Sequence, residues 1–176
     1  MKKCLIVVDM QNDFITGTLG SAQARKIVSS VRAKIETYKK ERYPVLFTRD
    51  THHGNYLNTQ EGRRLPVVHC VDGTEGHAIT SELEPSGCDI FDKTTFGSLA
   101  LAEHLAETAG DADEIELCGL CSDICVVSNA LILKARLPET TVTVDSRCCA
   151  GVTEESHRAA LLTMKMCQVN VTGEEE

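Results

Sequence analysis

Asp9, Lys93 and Cys125 are of the types that together perform nucleophilic acyl chemistry. A thiol attacks as its thiolate, and a nearby ammonium or a helix N-terminus favours that anion, lowering the pKa from about 8.5. A carboxylate beside it can take the thiol proton and return it to a leaving amine. Each of the three follows a segment that reads as a β-strand. Asp9 closes the apolar run Cys4-Leu-Ile-Val-Val, Lys93 follows Asp89 to Asp92, and Cys125 falls in the first turn of a helix after Glu114 to Cys118. The turn Gly119-Leu120-Cys121-Ser122-Asp123-Ile124-Cys125 can aim backbone N–H groups at the oxygen of a carbonyl under attack, as an oxyanion hole. Cys125 is therefore expected to have a lowered pKa.

The elements that must bring these residues together follow from periodicity. The run from Cys4 to Val8 is β-branched and apolar without alternation, the pattern of a strand buried on both faces. From Ser21 to Lys40, apolar residues at Ala24, Ile27, Val28, Val31, Ile35 and Tyr38 recur at helical spacing, with Ser21 as the cap. Further strands are expected at 44–48, 89–92, 114–118, 141–144 and 168–171, and helices near 98–108, 122–136 and 154–166. Six strands alternating with helices imply a three-layer α/β/α fold with a six-stranded parallel sheet, Rossmann-like, in a single domain spanning 1–176. In such a sheet ligands bind beyond the carboxyl ends of the strands, where all three residues fall. The segment from Arg49 to Pro85, rich in Gly, His, Asn and Thr, is long enough for a functional loop.

Composition narrows the classes. A chain of 176 residues with 42% hydrophobic and 25% charged residues is an ordinary globular protein. The net charge of −8, with Lys39-Lys40 and Arg63-Arg64 as isolated basic pairs, argues against nucleic acid as a partner. The apolar run after Lys2-Lys3 is too short for a signal peptide, and no stretch is long enough to span a membrane. Nine scattered cysteines, an odd number, fit a reducing, cytoplasmic setting in which most are free thiols. Cys118, Cys121 and Cys125 suggest a thiolate cluster only superficially, because Cys118 belongs to a strand and Cys125 to a helix. A tail of Glu174-Glu175-Glu176 follows the last strand.

These residues also resemble a known family. Leu5-Ile-Val-Val-Asp9-Met10-Gln11-Asn12-Asp13-Phe14 is similar to an apolar strand ending in D-x-Q-x-D-F. Phe91-Asp92-Lys93-Thr94-Thr95-Phe96-Gly97-Ser98 is similar to a K-x-x-x-S-A-F stretch, with the aromatic placed before the serine here. Gly119 to Val126 resembles a G-x-x-T-x-x-C-V nucleophile turn. All three belong, in this order, to the isochorismatase-like superfamily of cysteine hydrolases, which includes nicotinamidases, and the likeness covers nearly the whole chain.

The resemblance implies an amidase acting on a small carboxamide such as nicotinamide, through a thioester on Cys125 with Asp9 and Lys93 completing the set. It further implies a cis peptide between Leu120 and Cys121, oxyanion donors in the backbone N–H groups of Cys121 and Cys125, Phe14 in the substrate pocket, and a homo-oligomer. Its zinc-dependent members hold the metal with an Asp-x-His pair, a second His shortly after, and a third before a Cys. Asp50, His52 and His69-Cys70 match three of these ligands for zinc or manganese. Tyr56-Leu57-Asn58 stands where the second His belongs, and Glu61 could replace it if the loop folds back. The alternative to a metal is a polar network shaping the pocket. Two other readings of the fold are an isochorismatase-type vinyl-ether hydrolase and a non-catalytic binding or assembly module.

Overall fold

The computed structural model describes residues 2–110 and 112–174; Met1, Asp111 and the tail residues Glu175 and Glu176 lie outside the described residues. Strands β1 (Lys3–Val8), β2 (Val45–Asp50), β3 (Asp89–Lys93), β4 (Glu114–Leu120), β5 (Thr141–Ala150) and β6 (Asn170–Thr172) form one sheet. Its order is β3-β2-β1-β4-β5-β6, and every neighbouring pair is parallel. The helices are α1 (Asn12–Ile15), α2 (Ala22–Lys40), α3 (Gln60–Arg64), α4 (Leu99–Thr108), α5 (Val127–Arg136) and α6 (Glu154–Met166). α2 lies across β1, β2, β4 and β5, while α4, α5 and α6 pack side by side. The result is a three-layer α/β/α fold.

β1 is central because its sequence permits nothing else. Leu5, Ile6, Val7 and Val8 are completely buried, which only a strand covered on both faces and paired on both edges can satisfy. α2 buries the six apolar positions its spacing marks, and Ser21 Oγ accepts the N–H of Ala24 at 3.0 Å. Each of those larger aliphatic side chains contributes roughly 1.5–3 kcal/mol by leaving water.

β2, β3 and β4 each run one or two residues past expectation, to Asp50, Lys93 and Leu120, and three further boundaries differ. β5 continues to Ala150, because its buried Asp145 is held by Lys34 at 2.9 Å and by Arg147 at 3.2 Å, so a polar stretch stays in the sheet. β6 starts later than the apolar pattern suggests: Gln168 takes a left-handed φ of 64° and its N–H donates to Lys165 O, which ends α6 first. The segment expected to open a helix at Ser122 is instead a wide π-type turn over Ser122–Val126, with α5 beginning only at Val127.

The chain order along the sheet reverses at β1, which has β2 on one side and β4 on the other. A parallel sheet splays its outgoing loops apart at such a point and leaves a crevice beyond the strand ends. Gly119 permits the close approach there. Its φ is +116°, and a Cβ at this position would sit 2.2 Å from the carbonyl oxygen of Val8. The register of β4 against β5 also shifts between Leu117 and Gly119.

Candidate active site

The crevice brings Asp9, Lys93 and Cys125 together. Asp9 follows β1 at a left-handed φ of 47° and is fully buried. Thr48, near the end of the neighbouring β2, donates its hydroxyl to Asp9 Oδ1 at 2.6 Å. Lys93 Nζ stands 2.6 Å from Asp9 Oδ2 in an ion pair, and Oδ2 accepts no aligned hydrogen bond. The same ammonium donates to Cys125 Sγ and to Asp50 Oδ1, each at 3.5 Å. Cys125 is the fourth residue of the wide turn, so Sγ enters the crevice from the β4 side. The peptide between Leu120 and Cys121 is cis.

Asn129 ties two of the contributing loops together. Its side chain donates to Cys125 O at 2.8 Å and to Phe96 O at 3.3 Å, and accepts the N–H of Ser98 at 2.9 Å. The loop after Lys93 is thereby pinned to the Cys125 turn. Ser122, wholly buried at the base of that turn, meets His157 Nδ1 of α6 at 2.7 Å.

The electrostatics reverse one expectation. The Cys125 thiol is pushed well above its ordinary pKa: burial is the largest cause and the Asp9 charge the next, and Lys93 only partly opposes them. The helix N-terminus expected to help is displaced to α5. Burial also raises the Asp9 carboxyl, against the pull of Lys93 and Thr48. Burial alone would lower the Lys93 ammonium, yet the charges of Asp9, Cys125 and Asp50 raise it. Burial therefore opposes charge on both the Cys125 sulfur and Asp9, and Lys93 is the cation that favours it on each. Iodoacetamide should modify Cys125 slowly at pH 7 and faster, without levelling, up to pH 9; peptide mapping after timed quenching reads this. A plateau below pH 8 would mean a preformed thiolate.

A second cluster adjoins the first. Asp50, at the end of β2, directs Oδ1 to Lys93 and Oδ2 to His52 Nε2 at 2.9 Å. Donor atoms of Asp50, His52 and His69 all lie within 4.8 Å of one another, a group capable of coordinating a divalent metal. Two observations show that these residues fit such an ion. His52 Nε2 is buried and, although 2.9 Å from Asp50 Oδ2, makes no aligned hydrogen bond. His69 Nδ1 lies 2.7 Å from Val67 O, the arrangement that commits its proton there and turns the Nε2 lone pair to the cluster. Glu61 Oε1 comes within 3.6 Å of His52 Nε2 and 3.9 Å of His69 Nε2, so the loop does fold back. Burial would raise Asp50, but the close approach of His52 and the Lys93 charge outweigh it and hold the carboxyl low.

The positioning residues here were not legible as such. Gln11 donates to Asp50 O at 2.8 Å and His77 O at 2.9 Å and accepts Asp50 N–H at 2.7 Å, fixing the exit of β2. Asp13 accepts the N–H of Cys70 at 2.8 Å, which holds His69 in place. Both lie in the motif after β1, and only that motif signalled them. Tyr56, at the place of the family's second histidine, packs its ring 4.5 Å from His52 and 5.1 Å from His69.

Both clusters open on a cavity of about 820 Å³ lined by Phe14, Asp50, His52, Glu61, Cys121 and Cys125 among others. A family model for the isochorismatase domain matches residues 3–176. The chain belongs to the isochorismatase family. Among curated relatives, a nicotinamidase/pyrazinamidase of Mycobacterium tuberculosis is 27% identical, with 96% of this chain and 97% of that protein covered. The nicotinamidase/pyrazinamidase structure from Bacillus subtilis superposes with a TM-score of 0.86 at 27% identity, covering 98% of this isochorismatase-family chain and all of the other. A pyrazinamidase of Pyrococcus horikoshii in complex with zinc gives a TM-score of 0.85 at 26% identity, over 99% and 100% of the two chains. An N-carbamoylsarcosine amidase from Thermoplasma acidophilum gives 0.84 at 27%, over 100% and 99%. These matches place this isochorismatase-family member among hydrolytic enzymes. No helix among its described residues is long and apolar enough to cross a membrane.

Proposed function

We propose that this chain is an amidase that hydrolyses a small carboxamide, nicotinamide being the first candidate, through a thioester on Cys125. The observation that carries the reading is the single ammonium of Lys93 lying 2.6 Å from Asp9 and 3.5 Å from Cys125 beside the cavity. The names of the similar proteins, nicotinamidases and another amidase, support the same class.

Asp9 Oδ2 takes the thiol proton as Sγ attacks the carboxamide carbon, so charge moves onto the carbonyl oxygen while the anion on sulfur is never free. The backbone N–H groups of Cys121 and Cys125 receive that oxygen. Asp9 returns the proton to the departing nitrogen, the C–N bond breaks and ammonia leaves. A water molecule then gives its proton to Asp9 and adds to the thioester carbon; the C–S bond breaks, Sγ regains the proton and a carboxylate is released. Lys93 balances the charge on Asp9 throughout. Phe14, whose ring lies 5.6 Å from that of His69, supplies an apolar wall for the substrate.

Asp50, His52 and His69, with Glu61 as a fourth donor, would hold a divalent ion such as zinc or manganese, which supplies a Lewis-acidic anchor for a substrate donor atom. Purified protein is expected to carry one such ion per chain, and His52→Ala and His69→Ala to lose it; elemental analysis decides. Ammonia release from nicotinamide, with and without chelator, tests the function. No release from nicotinamide or other small amides at any metal loading would sink the amidase reading.

A further inference from the structure

The cavity wall includes α3, which is fixed in place more firmly than five helical residues require. Thr59 Oγ1 caps it by accepting the N–H of Gly62 at 3.0 Å, and Arg63 reaches back to Asn58 O at 2.6 Å. Beyond its C-terminal end, Tyr56 donates its hydroxyl to Leu65 O at 2.8 Å. Gly62 sits so close to the preceding turn that a Cβ there would lie 2.1 Å from Tyr56 O. On this shelf Glu61 and Arg64 are three apart, on neighbouring faces of the helix. Glu61 turns to the histidines. Arg64 also lines the cavity, but it makes no hydrogen bond or ion pair with any described residue.

Arg64 is exposed, and among the described arginines only Arg42, which does not line the cavity, shares its lack of a partner. The chain carries 26 acidic side chains against 18 basic ones, and Arg25, Arg32, Arg49, Arg63, Arg136, Arg147 and Arg158 all have partners. Among the described residues lining the cavity, Arg64 is the one arginine or lysine. The two lining carboxylates, Asp50 and Glu61, are turned toward the histidine cluster and leave it unneutralised. A guanidinium is a planar fork that binds a carboxylate through two parallel N–H bonds, and holding its backbone rigid reduces the entropy such binding costs. The cavity also has room well beyond a single carboxamide ring.

We infer that Arg64 is a specificity residue for a substrate carboxylate: the preferred substrates are small amides that carry a carboxylate remote from the scissile amide. This rests on the amidase reading and narrows its substrate class. The carboxamide end meets Cys125 while the carboxylate pairs with Arg64.

The test uses glutaramate and succinamate against butyramide, an uncharged amide of comparable length. Calorimetric binding to Cys125→Ala, which cannot turn the ligands over, should favour the best amido acid over butyramide by roughly tenfold to a hundredfold, the worth of a charge-assisted bond. Adding Arg64→Ala should erase that preference, and Arg64→Lys should restore part of it; thermal melts establish that each variant is folded. In the wild type the same preference should appear in KM more than in kcat. An absent preference, or one that persists without Arg64, overturns the inference. Ammonia release from nicotinamide judges the amidase reading separately: hydrolysis without an Arg64-dependent preference defeats only the inference, and Arg64-dependent binding without hydrolysis of any amide defeats only the reaction.

Discussion

Cys125→Ala is expected to lower amide hydrolysis by roughly 10⁴-fold or more, the scale on which nucleophile deletions act in covalent hydrolases. The variant should remain folded, because the site loses one sulfur atom from a residue whose backbone is held by Asn129, and no polar partner is stranded except the 3.5 Å donor contact from Lys93. Cys125→Ser should be nearly as inactive, since a hydroxyl gives up its proton far less readily than a thiol to the same Asp9. Acid quenching of wild type during turnover should trap an acyl adduct on Cys125, read by intact mass and peptide mapping. Full activity in Cys125→Ala, or an adduct on another cysteine, would remove the thioester from the mechanism.

Lys93→Met should be the most damaging single change to the fold of the site. The ammonium separates two carboxylates that are both almost inaccessible to water, Asp9 at 2.6 Å and Asp50 at 3.5 Å. Removing one partner of a buried ion pair leaves an uncompensated charge and costs about 3–5 kcal/mol. The pH dependence has a definite sign. Burial already raises the folded-state pKa of Asp9, and deleting the cation that opposes it raises it further. A carboxyl with a folded pKa above its unfolded value binds more protons when folded, so its destabilising effect grows as pH rises through that value and fades as pH falls. Urea melts of wild type and variant should differ most at neutral pH and converge as pH falls toward the ordinary carboxylate range. A gap that widens in acid would contradict this account of the pair.

Much of the fold was legible because it depends on local pattern. The helical spacing from Ala24 to Tyr38 and the unbroken apolar run of β1 each admit one burial geometry, and the strand ends then located Asp9, Lys93 and Cys125. The partners that make these residues a site come from far along the chain and leave no local trace. Thr48 meets Asp9 across 39 residues, and Asn129 meets Ser98 across 31. The sign of the Cys125 shift was missed for a related reason: spacing shows that a lysine is near, but the cost of burying a thiolate depends on every layer packed over it. Glu61 was readable only as a condition on the loop, and the condition is met because Gly62 lets α3 close against Tyr56.

The central place of β1 has a consequence for how the protein is made. Its residues 5–8 pair with 45–48 on one edge and residues 3–8 with 114–119 on the other. At roughly 5–20 residues per second of synthesis, the second partner emerges about 3–13 seconds after the first, and until then the most apolar strand of the chain has an open edge. That edge is a template for pairing with another nascent chain. Yield at high expression should therefore be limited by what happens to β1 before β4 arrives, and a chaperone that occupies the edge should raise it without altering the finished molecule.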